Sequence, residues 1–237
     1  TVCSPTRASL MSGKYTAKHG VTNWISNSKM MLKLEEVTIA EALKAGGYKT
    51  AHVGKWHLAP RGAKNMMDYY PKGQGFDVNI GGGHWGAPSN YFHPYDGRKT
   101  VENLPPGGKE GDFLTDRLTD ETLKILDGWK DDSFFIHLAY YAVHTPVMGK
   151  PELVEYYTQK EKGANQKNPK YAAMIHSVDD SVGRLTAHLE KLGIADNTLI
   201  ILTGDNGGLR SQTNNAPLRA GKGSLYEGGT REPTIVH

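Results

Sequence analysis

The hydrophobic residues of this chain follow helical spacing in some stretches and form strand-like apolar runs in others. Helices are predicted over residues 5–12, 36–46, 112–129 and 171–192. Strands are predicted over residues 49–53, 134–139 and 198–203, and another begins at 234–236. Because strands that read as apolar runs alternate with helices, the pattern predicts an α/β fold. We expect a mainly parallel, mixed central sheet with helices on both faces.

The stretch from Pro60 to Gly111 shows neither helical nor strand periodicity and is rich in glycine and proline. This composition predicts long surface loops. Its aromatic residues have two open interpretations, since they could pack the loop or line a sugar-binding cleft. These residues are Trp85, Tyr91, Phe92 and Tyr95. No internal repeat or domain boundary is visible, so we expect residues 1–237 to belong to one domain.

The amino-acid composition argues against several classes of protein. Of the 237 residues, 38% are hydrophobic, which suffices for a substantial core. Lys and Arg total 28 against 25 Asp and Glu, and the net charge of +3 gives no support for a nucleic-acid partner. No apolar run approaches the roughly 20 residues of a membrane-spanning helix, and a single cysteine excludes an internal disulfide. Because the chain begins just before that cysteine and ends in a predicted strand, we expect an internal segment of a longer protein, truncated at both ends.

The lone cysteine lies in an unusual context, the run Cys3-Ser4-Pro5-Thr6-Arg7. Pro5 suits the first position of a helix, and Ser4 or Cys3 is expected to cap that helix. Unpaired backbone N–H groups and the positive end of the helix dipole favour an anion there. Arg7 returns to the same face of the first turn. The side chain at position 3 is therefore predicted to face an anion site.

This run resembles the pattern Cys-x-Pro-Ser/Thr-Arg of the formylglycine-dependent (type I) sulfatase family, in the alkaline phosphatase superfamily. A second stretch, residues 47–58 with the sequence Gly-Tyr-Lys-Thr-Ala-His-Val-Gly-Lys-Trp-His-Leu, resembles that family's other hallmark segment. The resemblance implies an alkaline-phosphatase-like fold and a maturation enzyme that oxidises Cys3 to formylglycine. It also implies hydrolysis of a sulfate monoester through the formylglycine hydrate and a transient covalent sulfate ester.

The same resemblance assigns roles to residues outside the cysteine run. Two positions apart, Lys55 and His57 share one side of an extended chain, so both can reach one oxyanion. By resemblance, Lys55 contacts the sulfate and the formylglycine, and His57 hydrogen-bonds a hydroxyl of its hydrate. His144, just beyond the predicted strand 134–139, is a candidate for protonating the leaving alcohol, which suits an imidazole. Lys222 matches a second sulfate-binding lysine.

Asp205 and Asn206 directly follow a predicted strand, among several glycines. Sites in open α/β sheets form at the carboxyl ends of strands, and hard cations take carboxylate and amide oxygens. By resemblance these residues, with an oxygen of the modified Cys3, bind a divalent cation, most often Ca²⁺. The family pattern also has an Asp-Asp pair upstream of the nucleophile, before the first residue here, so we expect only part of the metal site.

Two other functions remain open. One is a phosphonate monoester or phosphodiester hydrolase of the same superfamily, and the other is a non-catalytic glycan-binding relative. The substrate is expected to be a sulfated small molecule or polysaccharide. The glycine-rich, aromatic loop at 81–95 favours a sulfated carbohydrate. By resemblance the protein is exported, to a periplasmic, extracellular or lysosomal location.

Overall fold

A computed structural model describes all residues from Thr1 to His237. The helices are α1 (Cys3–Ser12), α2 (Thr16–His19), α3 (Ile39–Ala45), α4 (Leu114–Trp129), α5 (Pro151–Gln159), α6 (Pro169–Leu192) and α7 (Glu227–Thr230). The strands are β1 (Lys49–Gly54), β2 (Val78–Ile80), β3 (Phe134–Ala139), β4 (Ile201–Thr203) and β5 (Thr234–Val236). Short 3-10 turns cover Met66–Tyr69, Pro71–Gln74 and Ala195–Asn197.

The centre of the fold is a parallel sheet in the order β2-β1-β3, with Gly54 of β1 opposite Ala139 of β3. Adjacent residues of a strand point to opposite faces. Val53 packs with Leu118 of α4 on one face, and His52 contacts Trp56 edge-on on the other. Two hydrophobic clusters therefore lie on opposite faces of this sheet, which is the predicted α/β arrangement.

Strands β4 and β5 lie outside the three-stranded parallel sheet. These two strands pair antiparallel in a sheet of their own, with Ile201 opposite Val236. Ile201 is 60% exposed and Val236 63% exposed. The predicted strand 198–203 is also shorter, because the Thr198 backbone N–H closes a 3-10 turn by donating to the Ala195 carbonyl at 3.1 Å.

Several boundaries differ from the sequence pattern for local reasons. The helix predicted from 36 begins at Ile39 because Thr38 and Glu41 form a capping box, each side chain bonding the other's backbone N–H. The region predicted as loops contains the short strand β2, which pairs with β1. Helix α5 was not predicted from the sequence. No helix is both long and apolar enough to span a bilayer.

Gly54 carries β1 into the segment that holds Lys55 and His57. Its φ is +99°, a conformation that favours glycine, and a Cβ there would overlap the Ala139 carbonyl. That carbonyl accepts a 2.7 Å bond from the Lys55 N–H. The close approach of β1 and β3 therefore requires glycine at position 54.

We predict that Gly54→Ala lowers the free energy of unfolding of the full-length protein by about 3 kcal/mol or more, from backbone strain plus overpacking. Gly128→Ala is the matched control, because Gly128 lies in α4 with open space around its Cα. It should be neutral or stabilising by up to about 1 kcal/mol. Urea denaturation of both variants makes the comparison, and equal stabilities would contradict it.

Candidate active site

The site is built at the carboxyl edge of the parallel sheet and at the start of α1. Lys55 and His57 follow β1, and His144 follows β3. Since parallel strands end at the same edge, these side chains meet there. The N-terminus of α1 brings Cys3 to the same place, where it is 4% exposed. The contacts below bring Arg7, Asp205, Asn206 and Lys222 into this group as well.

The start of α1 differs from the predicted capping. Val2 is the N-cap residue and no side chain caps the helix, so the expectation that Ser4 or Cys3 caps it is wrong. The Ser4 hydroxyl instead donates to the His57 carbonyl at 2.9 Å and accepts from the Ile25 N–H at 3.1 Å. Ser4 therefore joins α1 to the segment after β1, and the helix N-terminus remains open to an anion.

Arg7, Lys55 and Asp205 form a buried ionic network. Arg7 Nε lies 3.1 Å and Lys55 Nζ 3.4 Å from the same Asp205 oxygen, Oδ2. Arg7 Nη1 also donates to the Lys55 carbonyl at 2.6 Å. Burial by itself raises the pKa of Asp205, but the charges of Lys55, Arg7 and Lys222 hold that pKa well below its usual range. Asp205 is therefore ionised and orients both cations.

The Cys3 sulfur is surrounded by positive and polar groups. Lys222 Nζ lies 3.6 Å from Cys3 Sγ. Burial by itself raises the pKa of the Cys3 thiol, and the charge of Lys55 opposes it. The positive surroundings outweigh burial, and the combined effect lowers the thiol pKa to about 4. An anion at position 3 is therefore strongly stabilised.

His57 has one nitrogen occupied and one free. Its Nε2 donates to the Ile25 carbonyl at 3.1 Å, whereas its Nδ1 is buried and has no protein partner. Burial is the main cause that lowers the pKa of this imidazole, so the ring is neutral and Nδ1 carries a lone pair. The backbone N–H of His57 donates to the Gly83 carbonyl at 3.2 Å. His57 thus presents a fixed acceptor beside Cys3.

His144 has the complementary arrangement. Its Nδ1 bonds to the Thr145 carbonyl at 2.8 Å, which leaves Nε2 as the nitrogen available to the site. The hydroxyl of the buried Tyr91 shares its one proton between two carbonyls, that of Tyr141 at 2.7 Å and that of His144 at 3.0 Å. Tyr91 therefore fixes the turn that carries His144. It packs the loop and does not line a cleft.

Asn206 supports part of a cation site. Its side-chain Oδ1 is buried and has no protein partner, and the neighbouring Asp205 is ionised. Calcium takes about 6–8 oxygen ligands. No group of three or more His, Cys, Asp and Glu side chains is arranged to hold a metal ion. Asp205 and Asn206 fit two positions of such a site but do not complete it.

Comparison with known proteins decides the family. The family model described as Sulfatase matches residues 1–237. The chain belongs to the sulfatase family. It is 30% identical over 268 residues to N-acetylgalactosamine-6-sulfatase of Mus musculus, covering 99% of this chain and 48% of that protein. The chain thus spans about half the length of the curated relatives it matches.

Solved structures place this sulfatase chain in the alkaline phosphatase superfamily. The crystal structure of Ps i-CgsB in complex with k-i-k-neocarrahexaose matches with a TM-score of 0.79 and 34% identity, over 99% of this chain and 55% of that one. The phosphonate monoester hydrolase of Agrobacterium radiobacter is 18% identical with a TM-score of 0.68, over 100% of this chain and 58% of that one. The hydrolase shares the fold alone. The predicted fold class and the family resemblance are confirmed.

Two residues around the candidate site have contacts that the sequence did not predict. Ser4 occupies the variable position of Cys-x-Pro and was expected only as a helix cap, whereas it joins α1 to the segment of His57. Gly86 packs against the His57 ring so closely that a Cβ would overlap it. The glycine-rich composition of that loop was a visible signal, but its contact with His57 was not.

The titration of Cys3 tests the electrostatics of the site. In metal-free, full-length protein that retains the thiol, we predict by ultraviolet absorbance a thiolate midpoint well below the value of about 8.5 for an ordinary thiol. Because the pKa is lowered, the thiolate persists through neutral pH and is lost only on acidification. Lys55→Met should raise the midpoint by about one pH unit or more.

Lys49→Met is the matched control for that titration. Lys49 begins β1, at the opposite end from Lys55, and pairs with Asp132 at 2.6 Å. Its removal should leave the Cys3 midpoint unchanged. A parent midpoint near 8.5, the ordinary thiol value, would contradict the electrostatic description.

Proposed function

We propose that the protein hydrolyses sulfate monoesters, with Cys3 converted to formylglycine by a maturation enzyme. The observation that carries this proposal is the surrounding of Cys3. It is buried at an uncapped helix N-terminus, 3.6 Å from Lys222 Nζ, beside Lys55 and the unpartnered Nδ1 of His57. A sulfate monoester is an anion, and these groups match its charge.

The hydrated aldehyde at position 3 would supply an oxygen nucleophile for sulfur and, through its second hydroxyl, a route for releasing the sulfate. His57 is placed to accept a proton from a hydroxyl of that group, because its Nδ1 is a buried, free acceptor. Lys55 and Lys222 stabilise the non-bridging oxygens, and Arg7 keeps Lys55 and Asp205 in place. Such preorganised charge is usually the largest catalytic contribution.

His144 is proposed to protonate the leaving alcohol. Its Nδ1 bond to Thr145 leaves Nε2 facing the site, and a protonated Nε2 could donate to the bridging oxygen. Asp205 and Asn206 would hold the divalent cation, most often Ca²⁺, which would add positive charge beside the sulfate oxygens. An oxygen of the modified Cys3 would be a third ligand of that cation.

A sulfated carbohydrate is the proposed substrate. Support comes from the name N-acetylgalactosamine-6-sulfatase of the mouse relative and from the neocarrahexaose complex of Ps i-CgsB. The phosphonate monoester hydrolase alternative has weaker support, since that neighbour is 18% identical. Side-by-side hydrolysis of an aryl sulfate and an aryl phosphodiester separates the two activities.

The extent of the domain and the location also remain proposals. We infer that residues 1–237 are part of a larger sulfatase catalytic domain, because the chain covers 48% of the mouse relative. An exported location, implied by the family resemblance, stays a prediction.

Replacing Cys3 tests the proposed nucleophile. In the matured full-length protein, Cys3→Ala should lower aryl sulfate turnover by at least about 1,000-fold, because no nucleophile remains. Leu10→Ala, at an exposed position of α1, should stay within about twofold of the parent. Residual activity of Cys3→Ala within about tenfold of the parent would contradict the proposal.

Intact mass separates the enzyme from a non-catalytic glycan-binding relative. Conversion of the thiol to the aldehyde lowers the mass by about 18 Da. We expect that loss in active preparations from a host with the maturation enzyme. Unmodified Cys3 in native material, together with glycan binding and no turnover, would favour the binding function.

The leaving group tests the role of His144. His144→Asn should slow hydrolysis of a sugar sulfate by about 100- to 10,000-fold, because an alkoxide leaves poorly without a proton. Hydrolysis of 4-nitrophenyl sulfate should fall by less than about tenfold, since a nitrophenolate needs little protonation. His188→Asn is the control, because His188 lies on α6 and pairs with Asp127. Equal losses on both substrates would show that His144 is not the general acid.

A further inference from the structure

A stacked group of cationic and aromatic side chains lies outside the residues used above. The guanidinium carbon of Arg61 is 4.2 Å from the ring centroid of Trp85, and the His84 ring centroid is 4.5 Å from that of Trp85. We call these three residues the Arg61 platform. An arginine over an indole ring is held in a defined orientation, and its N–H groups remain available at the edge.

A hydrogen-bond network holds the His84 ring of the platform in place. His84 Nδ1 bonds to Glu102 Oε1 at 2.7 Å, and Tyr70 donates its hydroxyl to Glu102 Oε2. The Tyr70 oxygen also lies 3.1 Å from His84 Nδ1. The carboxylate of Glu102 is therefore fully engaged by His84 and Tyr70. Arg61, by contrast, forms no ion pair with any carboxylate of the chain.

The platform is attached to the surroundings of His57 by two backbone segments. The segment containing His84 and Trp85 begins at Gly83, whose carbonyl accepts from the His57 N–H, and ends at Gly86, which packs on the His57 ring. The Arg61 N–H donates at 2.9 Å to the carbonyl of residue 27, two residues after Ile25, whose carbonyl accepts from the His57 ring. The backbone segments that carry Arg61 and Trp85 are therefore both tied to the surroundings of His57.

We propose that Arg61, oriented by Trp85, binds a second anionic group of the substrate, a sulfate or a carboxylate on the same saccharide. An unpaired, preoriented guanidinium on segments tied to the surroundings of His57 matches a substrate with two oxyanions. Arg61 thus makes the enzyme selective for multiply charged glycans, and Trp85 is a positioning residue. The aromatic loop contributes to recognition by holding a cation, since the partly exposed Trp85 is already stacked. This inference rests on the proposed sulfatase function.

The test uses matured full-length enzyme and four substrates. Three are oligosaccharides that carry two sulfates per disaccharide, one sulfate with a uronate carboxylate, or one sulfate alone, and the fourth is 4-nitrophenyl sulfate. The parent should prefer at least one doubly charged saccharide over the singly charged one by about tenfold or more. Which of the two it prefers identifies the second anion as sulfate or carboxylate.

Arg61→Gln should lower kcat/KM for the preferred doubly charged saccharide by about 10- to 100-fold, mainly through KM. Turnover of the singly charged saccharide and of 4-nitrophenyl sulfate should change by less than about twofold. Arg61→Lys should recover part of the loss, because it keeps the charge without the planar fork. Arg98→Gln, at an exposed arginine without an ion pair, is the matched control and should match the parent.

Trp85→Leu tests the positioning role. It should weaken selectivity in the same direction as Arg61→Gln, and the double variant should lose little more than Arg61→Gln alone, since both act on one contact. Additive losses would overturn the role of Trp85. The role of Arg61 would be overturned if Arg61→Gln lowered kcat/KM equally on all four substrates, or did not lower it on the doubly charged saccharide. It would also be overturned if the parent did not prefer a doubly charged saccharide over the singly charged one.

A binding experiment separates this inference from the proposed activity. If the matured parent hydrolyses no sulfate ester, the proposed function fails. The Arg61 inference is then judged by calorimetry of Cys3→Ala with the disulfated and the sulfate-uronate oligosaccharides. Binding of either that weakens about tenfold or more when Arg61→Gln is added supports the platform. Absent or unchanged binding of both overturns it.

Discussion

The site depends on an excess of buried positive charge around one residue. Lys55, Arg7 and Lys222 converge near Cys3, and the single carboxylate of Asp205 faces all three. Asp205 Oδ2 is shared by Arg7 and Lys55, so it orients these cations without cancelling their combined charge. The remaining positive field is what lowers the pKa of the Cys3 thiol to about 4 despite burial, which acts in the opposite direction. A sulfate group in the same place would experience the same field.

The fold brings these charged side chains together from distant parts of the chain. The contacts join residues very distant in the chain, 198 positions apart for Arg7 and Asp205 and 219 for Cys3 and Lys222. The parallel pairing of β1 with β3 brings the ends of both strands to one edge, and Gly54 allows the two backbones to approach. Ser4 then ties α1 to the segment carrying His57. A cation held by several such contacts loses little further freedom when a substrate binds.

Much of this arrangement could be predicted from the sequence, and the exceptions have physical causes. Strand β3 matches its prediction at both ends, and α4 and α6 lie within two residues of theirs, because strong periodicity reports burial directly. Cys3, Arg7, Lys55 and His57 were predicted from two motifs of the family, and the other candidate site residues from shorter matches to the family pattern. The separate antiparallel pairing of β4 with β5 could not be predicted, since an apolar run does not report which strand it pairs with. Arg61 escaped notice because its partner, Trp85, is 24 residues away and the contact depends on the path of an aperiodic loop.

The central claim is that the oxidised form of Cys3, and not its thiol, performs the reaction. The most direct measurement compares preparations of the full-length protein in which different fractions of Cys3 have been converted. The fraction is determined by mass spectrometry of the peptide containing Cys3, and specific activity is measured on an aryl sulfate. The account predicts a straight line through the origin. Full activity in a preparation that contains only the Cys3 thiol would contradict it.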